Sequence, residues 1–241
     1  MIDGRKILVV VPARGGSKGV KLKNLRPLGG VPLVGLVGQL VGKLDYVDRA
    51  VVSTDHPDIV AAAVDYGLEA PFMRPESLSG DRIADWDVLY HALLACEEAD
   101  HCRYDIVVML QPTSPFRCPS QVTKTISHLL DGDYDAVWTV SETDSKSHPL
   151  KQLILNGDRL DYYDPAGAAI IARQQLVPVY HRNGVAYAIG RECLVGKKSI
   201  KGDKTSYVVI DDLVVNIDTE LDFKYAEFML QQGFSPAEPL D

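Results

Sequence analysis

Val10-Val11-Pro12-Ala13-Arg14-Gly15-Gly16-Ser17-Lys18-Gly19-Val20-Lys21-Leu22-Lys23-Asn24-Leu25-Arg26-Pro27 decides how this chain reads. An apolar run, Ile7–Val11, precedes the stretch as a buried first strand. A second apolar segment, Val31–Leu44, follows it with helical potential. A glycine-rich cationic turn at the carboxyl end of a strand is where an open α/β sheet receives a phosphorylated ligand. Gly15, Gly16 and Gly19 permit close approaches denied to other residues. Arg14, Lys18, Lys21, Lys23 and Arg26 supply positive charge. The alternative is a solvated basic loop. The stretch contains neither Gly-x-Gly-x-x-Gly nor Gly-x-x-x-x-Gly-Lys-Ser/Thr, which argues against a dinucleotide dehydrogenase and a P-loop ATPase.

Outward from this loop, short valine- and isoleucine-rich runs alternate with helical segments. Ile7–Val11, Ala50–Ser53, Ile106–Leu110 and Ala136–Val140 read as buried parallel strands. Asp85–Ala99 is the clearest helix, with Trp86, Leu89, Tyr90, Leu93, Leu94 and Cys96 as its apolar face. Pro57–Tyr66 and Pro119–Leu130 each begin with proline at a favoured first-turn position, and Gly67 caps the former. The alternation predicts a doubly wound, mostly parallel α/β sheet with ligands at the strand ends. After Val140 the rhythm breaks. Asn156-Gly157-Asp158 predicts a hairpin turn between Lys151–Leu155 and Arg159–Tyr163. Val185–Ile189 and Val208–Ile210 resume as strands. Thr219–Gln232 reads as a closing helix with Leu221, Tyr225, Phe228 and Met229 on its buried side, and the tail Ser235–Asp241 reads as frayed.

Composition narrows the function. A chain of 241 residues with 46% hydrophobic and 24% charged residues is an ordinary globule. A formal net charge of −8 argues against a general nucleic-acid binder, so the basic loop is a local exception suited to a small anion. Cys96, Cys102, Cys118 and Cys193 form no Cys-x-x-Cys pair and suggest neither zinc nor a disulfide framework. Met1–Lys6 leads into a strand rather than a signal peptide, and no stretch approaches a membrane span. A cytoplasmic setting is expected.

Pro12-Ala13-Arg14-Gly15-Gly16-Ser17-Lys18-Gly19 with Lys23-Asn24 resembles the signature loop of the acylneuraminate cytidylyltransferase (CMP-sialic acid synthetase) family. The likeness continues through Ser53-Thr54-Asp55, Arg74-Pro75, Gln111-Pro112-Thr113-Ser114-Pro115-Phe116-Arg117, His148-Pro149-Leu150-Lys151, Arg173-Gln174-Gln175-Leu176, Asn183-Gly184 with Tyr187, and Ile217-Asp218-Thr219-Glu220. It implies a single Rossmann-like nucleotidyltransferase domain over 1–241, with 141–183 as an inserted arm that dimerises and reaches the partner's site. Without the resemblance that segment equally reads as a surface flap on a monomer.

The implied reaction joins CMP from CTP to the anomeric hydroxyl of a sialic-type nonulosonic acid and releases pyrophosphate. Alternatives are legionaminic, pseudaminic or Kdo-type acids as acceptor, or a catalytically weak CTP-binding homologue. Such chemistry needs cations and hydrogen-bond donors where charge shifts to the leaving group, and Arg14, Ser17 and Lys18, with Lys23 beside them, are the candidates. Magnesium would bridge the phosphates and prefers carboxylate oxygen, which Asp218 offers unless it serves as a helix cap. The family often has a second aspartate where Asn216 stands; Asn216 still offers the metal a neutral oxygen, and Asp218 would otherwise hold it alone or together with Asp211 or Asp212. The resemblance implies Ala13, Arg14, Gly15, Ser17, Lys23, Asn24, Arg74 and Asp85 for the nucleotide. Asn24 also reads as a turn residue, and Arg74 as a partner of Asp81. For the sugar acid it implies Gln111, Lys151, Arg173, Arg182 and Asn183; His181 stands where the family often has arginine, so either Arg182 takes over that role or the sugar differs. No residue claims the role of general base.

Overall fold

Ile7–Pro12 forms strand β1 in the computed structural model, which describes residues 1–234; the expected frayed tail, 235–241, lies outside them. A single turn of 3-10 helix, Lys23–Leu25, ends the loop after β1. A small hairpin follows, β2 (Pro27–Leu28) and β3 (Val31–Pro32), and then α1 (Leu33–Val41). Next come β4 (Arg49–Ser53), α2 (Pro57–Asp65), α3 (Asp85–Asp100), β5 (Ile106–Met109), α4 (Pro119–Asp131) and β6 (Ala136–Glu142). The chain closes through the hairpin β7 (Leu153–Asn156) and β8 (Arg159–Tyr162), then β9 (Tyr180–Gly190), α5 (Arg191–Val195), β10 (Thr205–Val209) and α6 (Glu220–Gln231).

Six strands make one sheet in the order β10-β6-β9-β5-β1-β4. β4, β1 and β5 are parallel, as are β6 and β10, while β9 runs antiparallel to both β5 and β6. The sheet is therefore mostly parallel, as the sequence predicts. β1 explains why its sequence is apolar at every position. Ile7, Val9 and Val11 face a core that includes Val34, Val37, Val122 and Ile126, whereas Leu8 and Val10 face Leu89 and Leu93 of α3. Helices cover both faces, so no strand position in the run is left for a polar residue. Chain connections leave β1 toward β4 on one side and β5 lies on the other. The loop after β1 thus emerges at a switch point of the sheet, where open α/β folds bind ligands.

A third core joins the two ends of the chain. Leu28, Leu33 and Leu36 pack with Val215, Ile217, Phe223, Ala226 and Met229, and this packing seats the segment before α6 beside the first loop. The buried face of α6 differs from the sequence expectation: Leu221, Tyr225 and Phe228 are exposed, while Phe223, Ala226 and Met229 are buried. The cap sets that register. The Asp222 carboxylate accepts from the Asp218 and Thr219 amides (3.0 and 2.7 Å), which turns Phe223 inward beneath the Arg26 guanidinium. In α3, Val88, Leu89, Ala92, Leu93 and Cys96 are buried and Leu94 is exposed, so that face is also rotated from expectation. β6 and β9 are longer than predicted, and the inserted segment shortens to residues 143–179.

Candidate active site

Ala13 leaves the sheet with its amide bonded to the Ser53 carbonyl (3.0 Å). Gly15 N–H donates to Asp55 Oδ1 (2.8 Å), and a side chain at Gly15 would strike the His56 ring. Buried Asn24 donates its amide to the Arg14 carbonyl (3.0 Å), so it braces the loop as a turn residue while also lining the cleft. These bonds hold the loop open beside a cleft of about 520 Å³. Arg14, Ser17, Lys18, Gly19, Lys23, Asn24, Arg74, Asp85, Gln111, Arg182, Asn216 and Asp218 all line it. Ala13 and Gly15 do not: Ala13 is buried in the core beneath the loop.

The two ends of the chain meet in this cleft. Lys23 Nζ donates to Asp218 Oδ1 (2.8 Å) and to the Ile217 carbonyl (2.7 Å). A Cβ on Gly19 would overlap the Asp218 carbonyl oxygen, so only glycine lets the loop pass there. Asp218 is not the cap of α6, because Thr219 holds that position and its hydroxyl accepts from the Asp222 amide. Its carboxylate is largely exposed to the cleft. Asn216 Oδ1 accepts from Ser114 Oγ (2.7 Å), which fixes a neutral oxygen nearby on the same strip of chain. Asp211 and Asp212 are absent from the lining, and Asp212 accepts from Gln121 instead. The described residues contain no cluster of three or more His, Cys, Asp or Glu suited to a metal ion.

Charge in the cleft is arranged in pairs. Arg14 Nη1 donates to Asp81 Oδ1 (2.6 Å) and Lys18 Nζ pairs with the other oxygen of the same carboxylate. Lys18 foremost, then Arg14, holds the Asp81 carboxyl below its usual range. Arg74 does not pair with Asp81, contrary to the alternative read from sequence. It is buried, and Nε and Nη2 have no partner among the described residues. Burial lowers its pKa, with the Asp55 charge opposing. An orphaned guanidinium in a cleft wall is costly unless a ligand completes it.

At the opposite wall, Gly184 has φ +74, and a Cβ there would lie 2.5 Å from Ser114 Oγ and 2.7 Å from Gln111 Oε1. Its amide donates to the Tyr187 hydroxyl (2.7 Å). Beneath it, fully buried Arg117 donates to the Gly184 carbonyl (3.0 Å) and to the Gln111 carbonyl, with burial pushing its pKa down to about 9. Arg182 reaches into the cleft across the Trp138 and Tyr187 rings and pairs with Asp85 (3.4 Å). Asp85, expected at the nucleotide, therefore touches the arginine expected at the sugar. Asn183 is displaced from its expected role: its side chain is buried between β6 and β9, accepting from Thr139 (2.6 Å) and donating to Ser141 (3.0 Å). β9 is irregular here, with Arg182 in register with Val140 and lying over the Trp138 and Tyr187 rings while the Asn183 side chain bonds to Thr139. Lys151 and Arg173 lie on the inserted segment, exposed and outside the lining.

Sequence reading missed Asp81 as a partner of the loop, and it missed Arg117 and Tyr187 as supports. Both supports stand inside the quoted motifs. The cleft lining contains no histidine or cysteine among the described residues.

The sequence model of the family described as Cytidylyltransferase matches residues 8–233. The chain is 28% identical to the post-translational flagellin modification protein B of Campylobacter coli, over 94% of this chain and 96% of that one. It is 28% identical to the CMP-N,N'-diacetyllegionaminic acid synthase of Legionella pneumophila, covering 94% and 97%. The N-acylneuraminate cytidylyltransferase of Escherichia coli is 26% identical over 92% of this chain and 51% of that protein. Among solved structures, a CMP:2-keto-3-deoxy-manno-octonic acid synthetase complexed with CTP superposes with a TM-score of 0.68 at 18% identity, over 95% of this chain and 99% of that one.

Proposed function

The chain belongs to the cytidylyltransferase family, and we propose that it transfers CMP from CTP to the anomeric hydroxyl of a nonulosonic acid, releasing pyrophosphate. The observation that carries this reading is the contact between Lys23 of the first loop and Asp218 near the other end of the chain, in a cleft also lined by Arg14, Lys18 and Arg74. Arg14 and Lys18 bind the triphosphate and stabilise the charge that grows on the departing pyrophosphate. Buried Arg74 completes its orphaned donors on the nucleotide. Gln111 and Arg182, on the far wall, orient the sugar acid: Arg182 grips its carboxylate and Gln111 its hydroxyl or acyl groups. The acceptor hydroxyl attacks the α-phosphorus in line, with no covalent enzyme intermediate.

The donor set fits magnesium. Asp218 and Asn216 offer one charged and one neutral hard oxygen, and magnesium commonly takes few protein ligands, keeping waters and phosphate oxygens for the rest. Bound there, it would neutralise phosphate charge. Lys23 holds one oxygen of Asp218, which leaves the other for a cation, and Ser114 donates to the Asn216 oxygen.

A homodimer built on segment 143–179 fits its surface. Leu155 is 82% exposed, Ile171 is 91% exposed, and Leu153, Leu160, Tyr163 and Val177 of the same segment are exposed as well. So many exposed apolar side chains on one segment are what a partner surface would cover. Lys151 and Arg173 on the same segment would then approach the partner's cleft. No helix among the described residues is long and apolar enough to cross a membrane. The four free thiols suit a reducing cytoplasm.

Pyrophosphate release from CTP and magnesium, assayed with sialic, legionaminic, pseudaminic and Kdo-type acids in turn, tests the reading. Release with a nonulosonic acid is expected; binding of CTP with no release for any acid would mark a CTP-binding homologue without turnover.

A further inference from the structure

Among the described residues, each cation lining the cleft apart from buried Arg74 already has a carboxylate: Lys23 has Asp218, Arg182 has Asp85, and Arg14 and Lys18 share Asp81. The last pair differs from the others. Two cations from one loop converge on a single acid, each on its own oxygen. That is the pattern in which two basic side chains grasp two oxygens of one phosphate group. Asp81 belongs to another part of the chain, 67 residues after Arg14, on a connector between the 3-10 turn Glu76–Leu78 and α3. Residues 79–84 of this connector are exposed or half-exposed throughout, so no packed core fixes Asp81 against the loop. Gly80, Asp81 and Ile83 nevertheless line the same cleft as Arg14, Ser17 and Lys18.

We infer that Asp81 is an internal anion in competition with the triphosphate: it holds Arg14 and Lys18 in position and is exchanged for phosphate oxygens when a nucleotide binds. This rests on the proposed assignment of Arg14 and Lys18 to the triphosphate. The physical case is one of matched strengths. An ion pair at the solvent edge is weak, since water and salt screen it. It therefore orders two long side chains without holding them against a ligand carrying about four negative charges. An acid buried beside the same cations would block the site, whereas one at the solvent edge competes weakly, and its removal frees both cations for phosphate at only a small loss of ordering. Asp81 is a positioning residue on this account, touching the cations rather than the reacting atoms. Ligand binding becomes a carboxylate-for-phosphate exchange.

Isothermal titration of tripolyphosphate and of cytidine into the full chain separates this from the function itself, because neither probe requires turnover. Asp81→Asn keeps the shape and removes the charge, and Asp81→Ser guards against a misfolded first variant, with thermal melting as the check on folding. Both variants are expected to bind tripolyphosphate about threefold to tenfold more tightly than the wild type at low salt, with the gain shrinking at high salt. Cytidine affinity should be unchanged. Equal or weaker tripolyphosphate binding by the folded variants would overturn the inference. Absence of pyrophosphate release with every sugar acid would defeat the proposed function and leave this titration fully readable.

Discussion

Lys23 Nζ lies 2.8 Å from Asp218 Oδ1, across 195 residues of sequence. Lys23 is mostly buried at this contact, whereas the Asp218 carboxylate is open to the cleft, so the lysine is the more fixed member of the pair. The third core explains how they meet: Ile217 and Phe223 pack against Leu28 and Leu33, and the loop has no freedom to drift from the segment before α6.

Gly19→Ala should damage activity more than folding. The added methyl overlaps the Asp218 carbonyl oxygen, so either the loop or the Asp218 segment must shift. Displacement of reacting groups by about 1 Å costs on the order of 100-fold in rate. Pyrophosphate-release kinetics alongside thermal melting check this. An Ala variant with wild-type kcat/KM would show that the close approach is unimportant.

Gly184→Ala should act at the other wall. Its φ of +74 and the neighbouring Ser114 and Gln111 oxygens leave no place for a side chain. The expected outcome is a rise of tenfold or more in KM for the sugar acid, with KM for CTP changed much less. Equal effects on both substrates would argue that this wall does not belong to the acceptor.

The strands were legible because burial on both faces leaves continuous valine and isoleucine runs, and the β7–β8 hairpin because Asn156-Gly157-Asp158 admits few other structures; Gly157 has φ +64. The first loop and Asp218 were legible through their motifs. The burial face of α6 was not, since a helix with apolar residues at 221, 223, 225, 226, 228 and 229 offers two competing stripes, and only the Asp222 cap and the third core choose between them. Asp81 was hidden for a different reason. Its pairing with Arg14 and Lys18 depends on tertiary approach between segments more than 60 residues apart, and it leaves no local pattern. Asn183 was misplaced because a motif match carries a residue's identity but not the sheet face it occupies.

Arg117→Met should destabilise the protein. The guanidinium is the donor to the Gln111 and Gly184 carbonyls in a fully buried position, and thioether sulfur cannot replace it. Stripping buried carbonyls of a donor costs about 1–3 kcal/mol each, partly offset by relief of a buried charge. A net loss of about 2 kcal/mol is expected in urea denaturation. Unchanged stability would mean that water satisfies both carbonyls.

Acid should weaken the fold through His91. Burial, then the Arg74 charge, lowers its pKa below the ordinary 6.5, so the unfolded chain takes up a proton that the folded chain refuses. The associated stability is present above about pH 6.5 and is lost as pH falls toward the folded-state pKa. His91→Phe, beside Phe72, should flatten the melting temperature profile below about pH 6.5. Parallel profiles for wild type and variant would remove His91 as the cause.

Leu155→Asp combined with Ile171→Asp should leave a monomer. Both side chains are almost fully exposed on the inserted segment, so the folded protomer should tolerate the change while an apolar interface would not. Sedimentation velocity distinguishes the states. A wild-type protein that is monomeric at the concentrations of the assay would refute the homodimer.

The most direct test of a single centre formed by the glycine loop and the distant acid is pyrophosphate release by Asp218→Ala compared with wild type, at saturating CTP, magnesium and the preferred sugar acid. Release by the wild type and a fall of about 1,000-fold or more in the variant, with its melting temperature preserved, is the expected result. Turnover by Asp218→Ala within a few-fold of wild type would contradict it.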